Sequence, residues 1–218
     1  MVATRPGGPL TVRDHALAAA TRLFAEHGVG ATSLQQIANV VGVTKQAILH
    51  HFPTKERLRD AVLEVMLAHW NERLPRLLAA ATASEDRFDA VLGELRHFFA
   101  DDPDRARLIV REALDRPAET GRLLRGPVRD WVAAVARHIR DGQAHGHHFA
   151  DVDPEAYVVH ILYFVITAAA SAAVTHAAIE PSPAGRARFD RELVRIAKAA
   201  LFAPRPPSAP AAPARRRK

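Results

Sequence analysis

The residue types that point most directly to a chemistry lie in the stretch 33–52, which reads SLQQIANVVGVTKQAILHHF. Residues 44–46 are threonine, lysine and glutamine at the start of a short helical run, and all three side chains can contact DNA. Before them, Ala38 is followed four positions later by Gly42. Two short helices joined by a tight turn need a small residue where they cross, which is what a helix-turn-helix requires. We therefore predict that residues 44–46 enter the major groove of DNA on the second helix of such a pair.

Apolar and basic residues around this stretch agree with that prediction. The shared core of the two helices would consist of Ile37, Val41, Val43 and Ile48. Because several spaced constraints are met together, a DNA-binding motif is favoured over a plain helical corner. Lys45 and Lys55 are the two lysines among residues 1–60, and each stands at a helix start, where phosphate is favoured. The alternative for these two lysines is that both are simply solvated.

A cluster of histidines raises the question of a metal site. The chain has 12 histidines, and His145, His147 and His148 crowd a glycine-containing segment that is followed by Asp151 and Asp153. Zinc needs about four convergent ligands in tetrahedral geometry. We favour a solvated loop and expect neither a metal nor another cofactor. The histidines on predicted helices are expected in the core or at an interface: His97, His138, His160 and His176.

Composition limits the class of protein. The chain has 218 residues, of which 48% are hydrophobic and 25% charged, as is typical of a globular protein of one or two domains. It has no cysteine, which excludes disulfide scaffolds, cysteine nucleophiles and thiolate metal sites. The sequence has no glycine-rich phosphate loop, nucleophile elbow or HExxH run, so we do not expect an enzyme. Its first residues have no apolar leader, and we expect a cytoplasmic protein.

The formal net charge of +6 is concentrated at the two ends of the chain. Residues 1–60 hold seven basic and four acidic groups, and residues 203–218 hold five basic and none acidic. Residues 61–202 hold 18 basic and 20 acidic groups. A small basic unit on a near-neutral body suggests a polyanionic partner that is reached through the N-terminal unit.

The elements that must position these residues show helical spacing, without strand-like alternation, so we predict an all-α fold. The predicted helix starts near the N-terminus are Thr11, Ser33, Thr44 and Thr54, and the predicted stops are Gly28, Gly42 and Pro53. Asp14 and Gln36 stand three residues after the first two starts, where they complete capping boxes.

Longer helices are predicted in the rest of the chain, at about residues 56–74, 85–100, 103–115, 119–142, 154–178 and 185–202. Prolines mark several of the joints: Pro75, Pro103, Pro154, Pro181 and Pro183. Pro117 and Pro127 could split a helix, and the region 115–128 is left open. Residues 1–10 and 203–218 are expected to form a flexible arm and a disordered basic tail.

The run LFAEHGVGATSLQQIANVVGVTKQAILHHFPTKERL closely resembles the N-terminal domain of TetR-type transcriptional repressors. The segments LFAEHG, ATSLQQIA, GVTKQAI and HHFPTKERL fall in order, and the likeness covers about residues 10–60. The resemblance implies an N-terminal three-helix helix-turn-helix domain at 11–55 and a C-terminal helical domain at 56–202 that binds a ligand and dimerises. It also implies a homodimer on a palindromic operator in double-stranded DNA.

The resemblance assigns roles to individual residues. It implies that Thr32 or Ser33 touches phosphate, that Thr44 contacts the DNA backbone, and that His50 and Lys55 hold that backbone. Two further residues would face bases, since glutamine can pair with adenine and lysine can donate to guanine: Lys45 and Gln46. Leu49 stands where the family usually has a tyrosine, and a leucine cannot donate to a phosphate.

The segment 157–179 has no formal charge at neutral pH and is long enough to span a bilayer. It contains two histidines and lacks flanking basic anchors, so we favour a buried dimer helix and expect no membrane insertion. Helices 154–178 and 185–202 would form a four-helix interface with a second copy. The second helix would contribute Phe189, Leu193, Ile196, Ala200 and Leu201.

Large side chains in the body are the candidates for an effector pocket, with a plain core as the alternative. They are Phe98, Trp131, His138, His160, Tyr163 and Phe164. We expect a repressor that a small molecule releases from its operator by shifting the population of dimers. The alternatives are a ligand-binding helical dimer with weak or lost specific DNA binding, and a non-specific DNA binder that uses the basic tail.

Overall fold

The computed structural model describes residues 10–80, 85–179 and 182–203, and these residues form α-helices joined by short connections. The predictions of a flexible arm and of a disordered tail fall almost entirely on residues 1–9 and 204–218, which lie outside the described residues. No helix in the described ranges has both the length and the hydropathy needed to cross a bilayer.

Eleven helices are described, which confirms the all-α prediction. They are α1 Val12–Ala31, α2 Leu34–Val41, α3 Lys45–His51, α4 Lys55–Ala80, α5 Glu85–Ala100, α6 Pro103–Asp115, α7 Pro117–Leu124, α8 Pro127–Ala144, α9 Pro154–Ala170, α10 Ala172–Ala178 and α11 Pro183–Ala199.

The predicted caps of the first helices are confirmed. Thr11 and Asp14 form a capping box, and so do Ser33 and Gln36. Gly42 ends α2 in the left-handed region, with φ +78°, which a glycine adopts without strain. Gly28, with φ +82°, interrupts the helical geometry of α1, although hydrogen bonding resumes as far as Ala31.

Two predicted boundaries were wrong, at Pro75 and within 154–178, and the region left open at 115–128 is split at its prolines. Pro75 lies inside α4, because the loss of one backbone hydrogen bond is tolerated among helix-forming leucine, arginine and alanine neighbours. The expected helix 119–142 is two helices, because Pro117 and Pro127 each take a first helical position, where the missing N–H costs nothing. The expected helix 154–178 is interrupted at Ser171, whose hydroxyl donates to the carbonyl of Thr167 at 2.6 Å.

Two apolar cores define a head and a body. The head is built from α1 to α3, the first half of α4 and one residue of α6, Leu108; its fully buried side chains include Phe24, Ile37, Ile48 and Leu58. The body core joins Trp70 at the middle of α4 to α5, α6, α8, α9 and α11. Helices α4 and α6 therefore contribute to both cores.

Two neighbouring residues of α6 fasten the head to the body. Arg111 donates to the carbonyls of Ala25 (2.8 Å) and Glu26 (3.0 Å) near the end of α1. Glu112 accepts from Nε of Arg59 in α4 at 2.6 Å, and both side chains are buried. Burial lowers the pKa of Arg59, but the hydrogen bond and charge of Glu112, together with the charges of Glu119 and Asp60, raise that pKa above the usual value, so the guanidinium is charged.

The loop between α8 and α9 binds the end of α11. The N–H of Phe149 donates to the carbonyl of Leu201 at 2.9 Å, and that of Ala203 donates to the carbonyl of His147 at 3.1 Å. This places His148 opposite Phe202 in an isolated antiparallel bridge. The expectation of a solvated loop was therefore wrong for His148, which is 8% exposed.

The imidazole of His148 packs directly on the backbone of Gly142 in α8. Its Nδ1 donates to the carbonyl of Ile139 at 3.0 Å, which fixes the ring between α8 and Phe202. Burial lowers the pKa of His148, and the neighbouring His138 adds to the effect, so the ring is neutral at neutral pH. Within the described ranges, no group of three or more His, Cys, Asp or Glu side chains could hold a metal ion.

Replacing Gly142 with alanine is expected to lower the free energy of unfolding by about 1–3 kcal/mol, because the new Cβ would overlap the ring of His148. Urea denaturation measures this loss. Gly93→Ala in α5 is the matched control, since a Cβ there meets nothing within 4 Å. Adding His148→Ala to Gly142→Ala should remove the overlap penalty; equal stability of the Gly142 and Gly93 variants would contradict the packing described here.

Candidate nucleic-acid interface

The turn between α2 and α3 fixes the relative orientation of the two helices. The N–H groups of Gly42 and Val43 both donate to the carbonyl of Ala38, at 2.9 and 3.0 Å. Ala38 is fully buried, as are Ile37 and Ile48 on either side of the turn. Since the side chains that face each other are small or tightly packed, α3 is held rigidly against α2.

The outward face of α3 carries the residues that the sequence assigns to base reading. Ile48 points into the head core, so the exposed side chains of Gln46 and His50 lie on the opposite side of the helix, and Lys45 is exposed beside them on its first turn. Leu49 is partly exposed on the same side. The structure therefore brings together two hydrogen-bonding side chains, an imidazole and one apolar side chain on a single accessible face.

Thr44 and Ser33 begin the two helices of the motif. The hydroxyl oxygen of Thr44 accepts from the N–H of Ala47 at 3.2 Å, and the side chain is exposed, so its proton can be donated outward. Ser33 accepts from the N–H of Gln36 at 3.2 Å and donates to the Gln36 side chain at 2.9 Å. Both residues cap their helices, as the sequence predicts.

An open cleft of about 320 Å³ lies between the N-terminus of α2 and the start of α3. It is lined by Lys45, Lys55 and residues 30–35. A helix N-terminus with two ammonium groups beside it is suited to an anion such as a DNA phosphate. The cleft also contains Gln35, an exposed residue that sequence reasoning missed because its type alone does not distinguish it from other solvated glutamines.

Two residues that were expected to contact phosphate, Thr32 and Lys55, instead donate hydrogen bonds to main-chain carbonyls of the protein. The Thr32 side chain is 2% exposed, and its hydroxyl donates to the carbonyl of Gly28 at 2.8 Å, so it cannot reach a phosphate. Its partner in that prediction, Ser33, stays exposed. The ammonium of Lys55 donates to the carbonyls of Gly30 (3.1 Å) and Thr32 (2.9 Å), which leaves one of its three protons for an anion.

The candidate pocket residues separate into two groups. Phe98 and Trp131 are buried in the body around Trp70, with ring centroids 5.5 and 5.6 Å from it. His138 is half-buried and faces His148 at 6.5 Å. The sequence analysis did not single out Trp70, because a tryptophan at helical spacing looks like any core residue.

The other pocket candidates lie on the surface of the protomer, which corrects their assignment to an interior site. They follow helical spacing along one face of α9: His160, Tyr163 (55% exposed) and Phe164 (38% exposed). Because α9 is apolar on most faces, only one side can pack inward, and Val158, Val165 and Ile166 take that side. His97 is also exposed and is not a core residue.

The predicted dimer residues of the last helix also need correction. Leu193 and Leu201 are 4% and 3% exposed and belong to the core of the protomer itself, so they cannot pack on a second copy. Ile196 and Ala200 are exposed on another side of the chain, Ile196 by 39%. The spacing of apolar residues is the same for the side of the helix that packs on its own protomer and for the side that is exposed. The two sides can be distinguished only once the fold is known.

Comparison with known proteins agrees with this architecture. Residues 16–62 match the family described as "Bacterial regulatory proteins, tetR family". The transcriptional repressor KstR2 of Mycolicibacterium smegmatis is 32% identical over 83 residues, which is 38% of this chain and 40% of KstR2. The transcriptional regulator RutR of Escherichia coli O157:H7 is 28% identical over 160 residues, 68% of each chain. The matched region thus spans less than half of the first relative and about two thirds of the second.

Solved structures share the fold over nearly the whole chain. The ketosteroid transcriptional regulator KstR2 of Mycobacterium tuberculosis aligns with a TM-score of 0.68 and 18% identity, covering 91% of this chain and 98% of that one. A regulatory protein of the tetR family from Rhodococcus RHA1 aligns with a TM-score of 0.67 and 21% identity, covering 90% and 100%. These relatives and neighbours are regulators and not enzymes. The helix-turn-helix head thus matches the tetR family of bacterial regulatory proteins over residues 16–62, and the head and helical body together share the fold of these solved structures.

Proposed function

We propose that the protein is a sequence-specific DNA-binding transcriptional repressor that a small-molecule effector releases from a palindromic operator. The observation that carries this proposal is the outward face of α3, where Lys45 and Gln46 are exposed on a helix that the Gly42 turn holds in place. Their side chains would read bases, while Ser33, Thr44, His50 and the remaining proton of Lys55 would contact the DNA backbone.

The dimer would use the exposed face of α9 together with α11. Tyr163, Phe164 and, further along, Val174 (72% exposed) form an apolar stripe that no element of the described protomer covers. Ile196 adds an exposed apolar side chain on α11. A twofold contact through these helices, within 154–178 and 185–202, would set two α3 helices about 34–36 Å apart, one DNA turn.

Effector release would use the two helices that contribute to both cores. We propose a DNA-binding domain at 11–55 and an effector-binding domain at 56–202, and α4 and α6, which contribute to both the head core and the body core, connect them. Arg111 and Glu112 bind the head, while α6 also packs on α9 in the body. An effector that binds better to a dimer with displaced heads would shift the population away from DNA by its differential affinity.

The test is to incubate the purified protein with fragmented DNA from its own source and to sequence the retained fragments. A double variant, Lys45→Ala with Gln46→Ala, is the control, since both side chains are exposed and the fold should survive. We expect a shared palindrome that the control does not retain. Enrichment of the same sequence by both proteins would disprove the role of α3.

A second candidate function is a ligand-binding dimer with weak specific DNA binding, and Leu49 is the observation that favours it. A leucine at this place on α3 offers no donor to a phosphate. The same experiment separates the two functions, because a protein with weak specific binding would retain no palindrome at the salt concentration at which a specific repressor does.

Removing residues 205–218 is expected to leave specific operator binding within about tenfold, because the four final cations would add only salt-dependent attraction to DNA. Fluorescence anisotropy with the recovered operator, at two salt concentrations, measures this change. Complete loss of specific binding in the truncated protein would assign the basic tail a direct part in recognition.

A further inference from the structure

Leu49 places an apolar side chain among the polar side chains that would read bases. Successive residues of an α-helix are rotated by about 100°, so Leu49 lies about 40° around α3 from Lys45 and about 60° from Gln46, between the two. Lys45 and Gln46 are exposed and Leu49 is partly exposed, whereas Ile48 next to it is fully buried. A surface that Lys45 and Gln46 approach together is therefore approached by Leu49 as well.

The head does not use Leu49 to build its own core. Among the residues that the structure describes, the partly buried apolar side chains that pack on the head core are Leu34, Val41, Val43, Val65 and Ile109. Leu49 is not one of them. Single exposed apolar side chains are common on protein surfaces, and what distinguishes Leu49 is its place between two hydrogen-bonding side chains on a rigidly held helix.

The chemistry of the major groove determines which group a leucine can contact there. The edges of the bases present hydrogen-bond donors and acceptors, and the apolar group among them is the C5-methyl of thymine. A leucine placed on a donor or an acceptor would remove its water without replacing the hydrogen bond, which is costly. Against the thymine methyl, both partners are apolar and both lose contact with water, which is favourable.

The helix geometry also limits where that thymine lies. Leu49 is three residues after Gln46, which corresponds to about 4.5 Å along the axis of α3 at a rise of about 1.5 Å per residue. Base pairs are about 3.4 Å apart along DNA. The thymine should therefore lie within about two base pairs of the pair that Gln46 reads.

We propose that Leu49 is a specificity-determining residue, which reads the C5-methyl group of a thymine in each half-site of the operator. The inference rests on the proposed function, in which α3 enters the major groove. It adds a residue that reads a base by apolar contact to the two that read bases by hydrogen bonds.

The test removes single methyl groups from the DNA. The operator recovered by the DNA selection is synthesised with each thymine in turn replaced by deoxyuridine, which lacks only the C5-methyl, and fluorescence anisotropy measures the affinity of the full chain. We expect one thymine per half-site, within about two base pairs of the pair at which Gln46→Ala relaxes the preference, whose replacement weakens binding by about three- to fivefold. Leu49→Ala should bind the thymine and the deoxyuridine operators equally at that position.

Val40→Ala is the matched control. It shortens another apolar side chain of the head, which is 47% exposed on α2, and the protein should keep its full response to the lost methyl. The replacement series with the unaltered chain needs no variant, so it decides even if Leu49→Ala fails to fold.

Several results would overturn the proposal. They are a half-site without a thymine near the Gln46 pair, a replacement series in which no methyl matters, and a methyl effect that persists in Leu49→Ala. If a palindrome is recovered and the series is flat, the role of Leu49 fails and the proposed function stands. If the DNA selection recovers no palindrome, the proposed function fails and the role of Leu49 fails with it.

Discussion

Changing Gln46 to alanine is expected to weaken specific operator binding by about 1–3 kcal/mol and to relax the preference at one base pair in each half-site. The reason is that Gln46 is exposed on the outward face of α3 and can make two hydrogen bonds to one adenine edge, which alanine cannot replace. Binding titrations against the operator and against duplexes with each base pair changed in turn measure both effects.

A control variant separates base reading from a general loss of affinity. Asn39→Ala removes an exposed amide from α2, where it accepts from Gln35, and should leave the base preference intact. Binding of both variants to random DNA should stay close to that of the unaltered protein, since phosphate contacts dominate there. If Gln46→Ala weakens operator and random DNA equally, Gln46 contacts the backbone and does not read a base.

Changing Glu112 to alanine is expected to lower the free energy of unfolding by about 3 kcal/mol, at the lower end of the range for breaking a buried ion pair. The loss is large because Arg59 would stay buried, with its side chain 5% exposed, without its main counter-charge. Glu119 at 2.8 Å and Asp60 at 3.1 Å remain as partners, but both are more than 40% exposed and compensate only in part. Urea denaturation at fixed protein concentration measures the change.

A double replacement tests the cause. Arg59→Met together with Glu112→Leu removes both charges and keeps the apolar volume, so most of the lost stability should return. If the double variant is as unstable as Glu112→Ala, the lost stability comes from the altered packing at this contact and not from an uncompensated buried charge. Arg111→Ala, one residue earlier, is a useful comparison because it removes hydrogen bonds to carbonyls and strands no buried charge.

The N-terminal part of the fold could be predicted closely because its signals are local. A capping box at Ser33 or a left-handed glycine at Gly42 depends on residues within one helical turn, and such signals are visible in the sequence. The outward face of α3 follows in the same way from the spacing around Ile48.

Roles that depend on partners distant along the chain could not be predicted. Thr32 has the right residue type for a phosphate contact, and its burial is visible only once α1 and α2 are packed together. Leu193 and Ile196 have the same apolar character, yet one faces the core of the protomer and the other faces outward. The bridge between His148 and Phe202 likewise joins residues far apart in the sequence.

The two contacts of α6 with the head, through Arg111 and Glu112, place different requirements on a foreign head that would replace it. Arg111 holds main-chain carbonyls of α1, which every sequence presents, whereas Glu112 holds the side chain of Arg59, which a foreign head must supply. In chimaeras that join this body to heads of other DNA specificity, the Arg111 contact should form with any head sequence. The Glu112 contact should form only when the head supplies an arginine at the matching position. An arginine at the position of Arg59 is therefore the feature to look for when choosing a foreign head for this body.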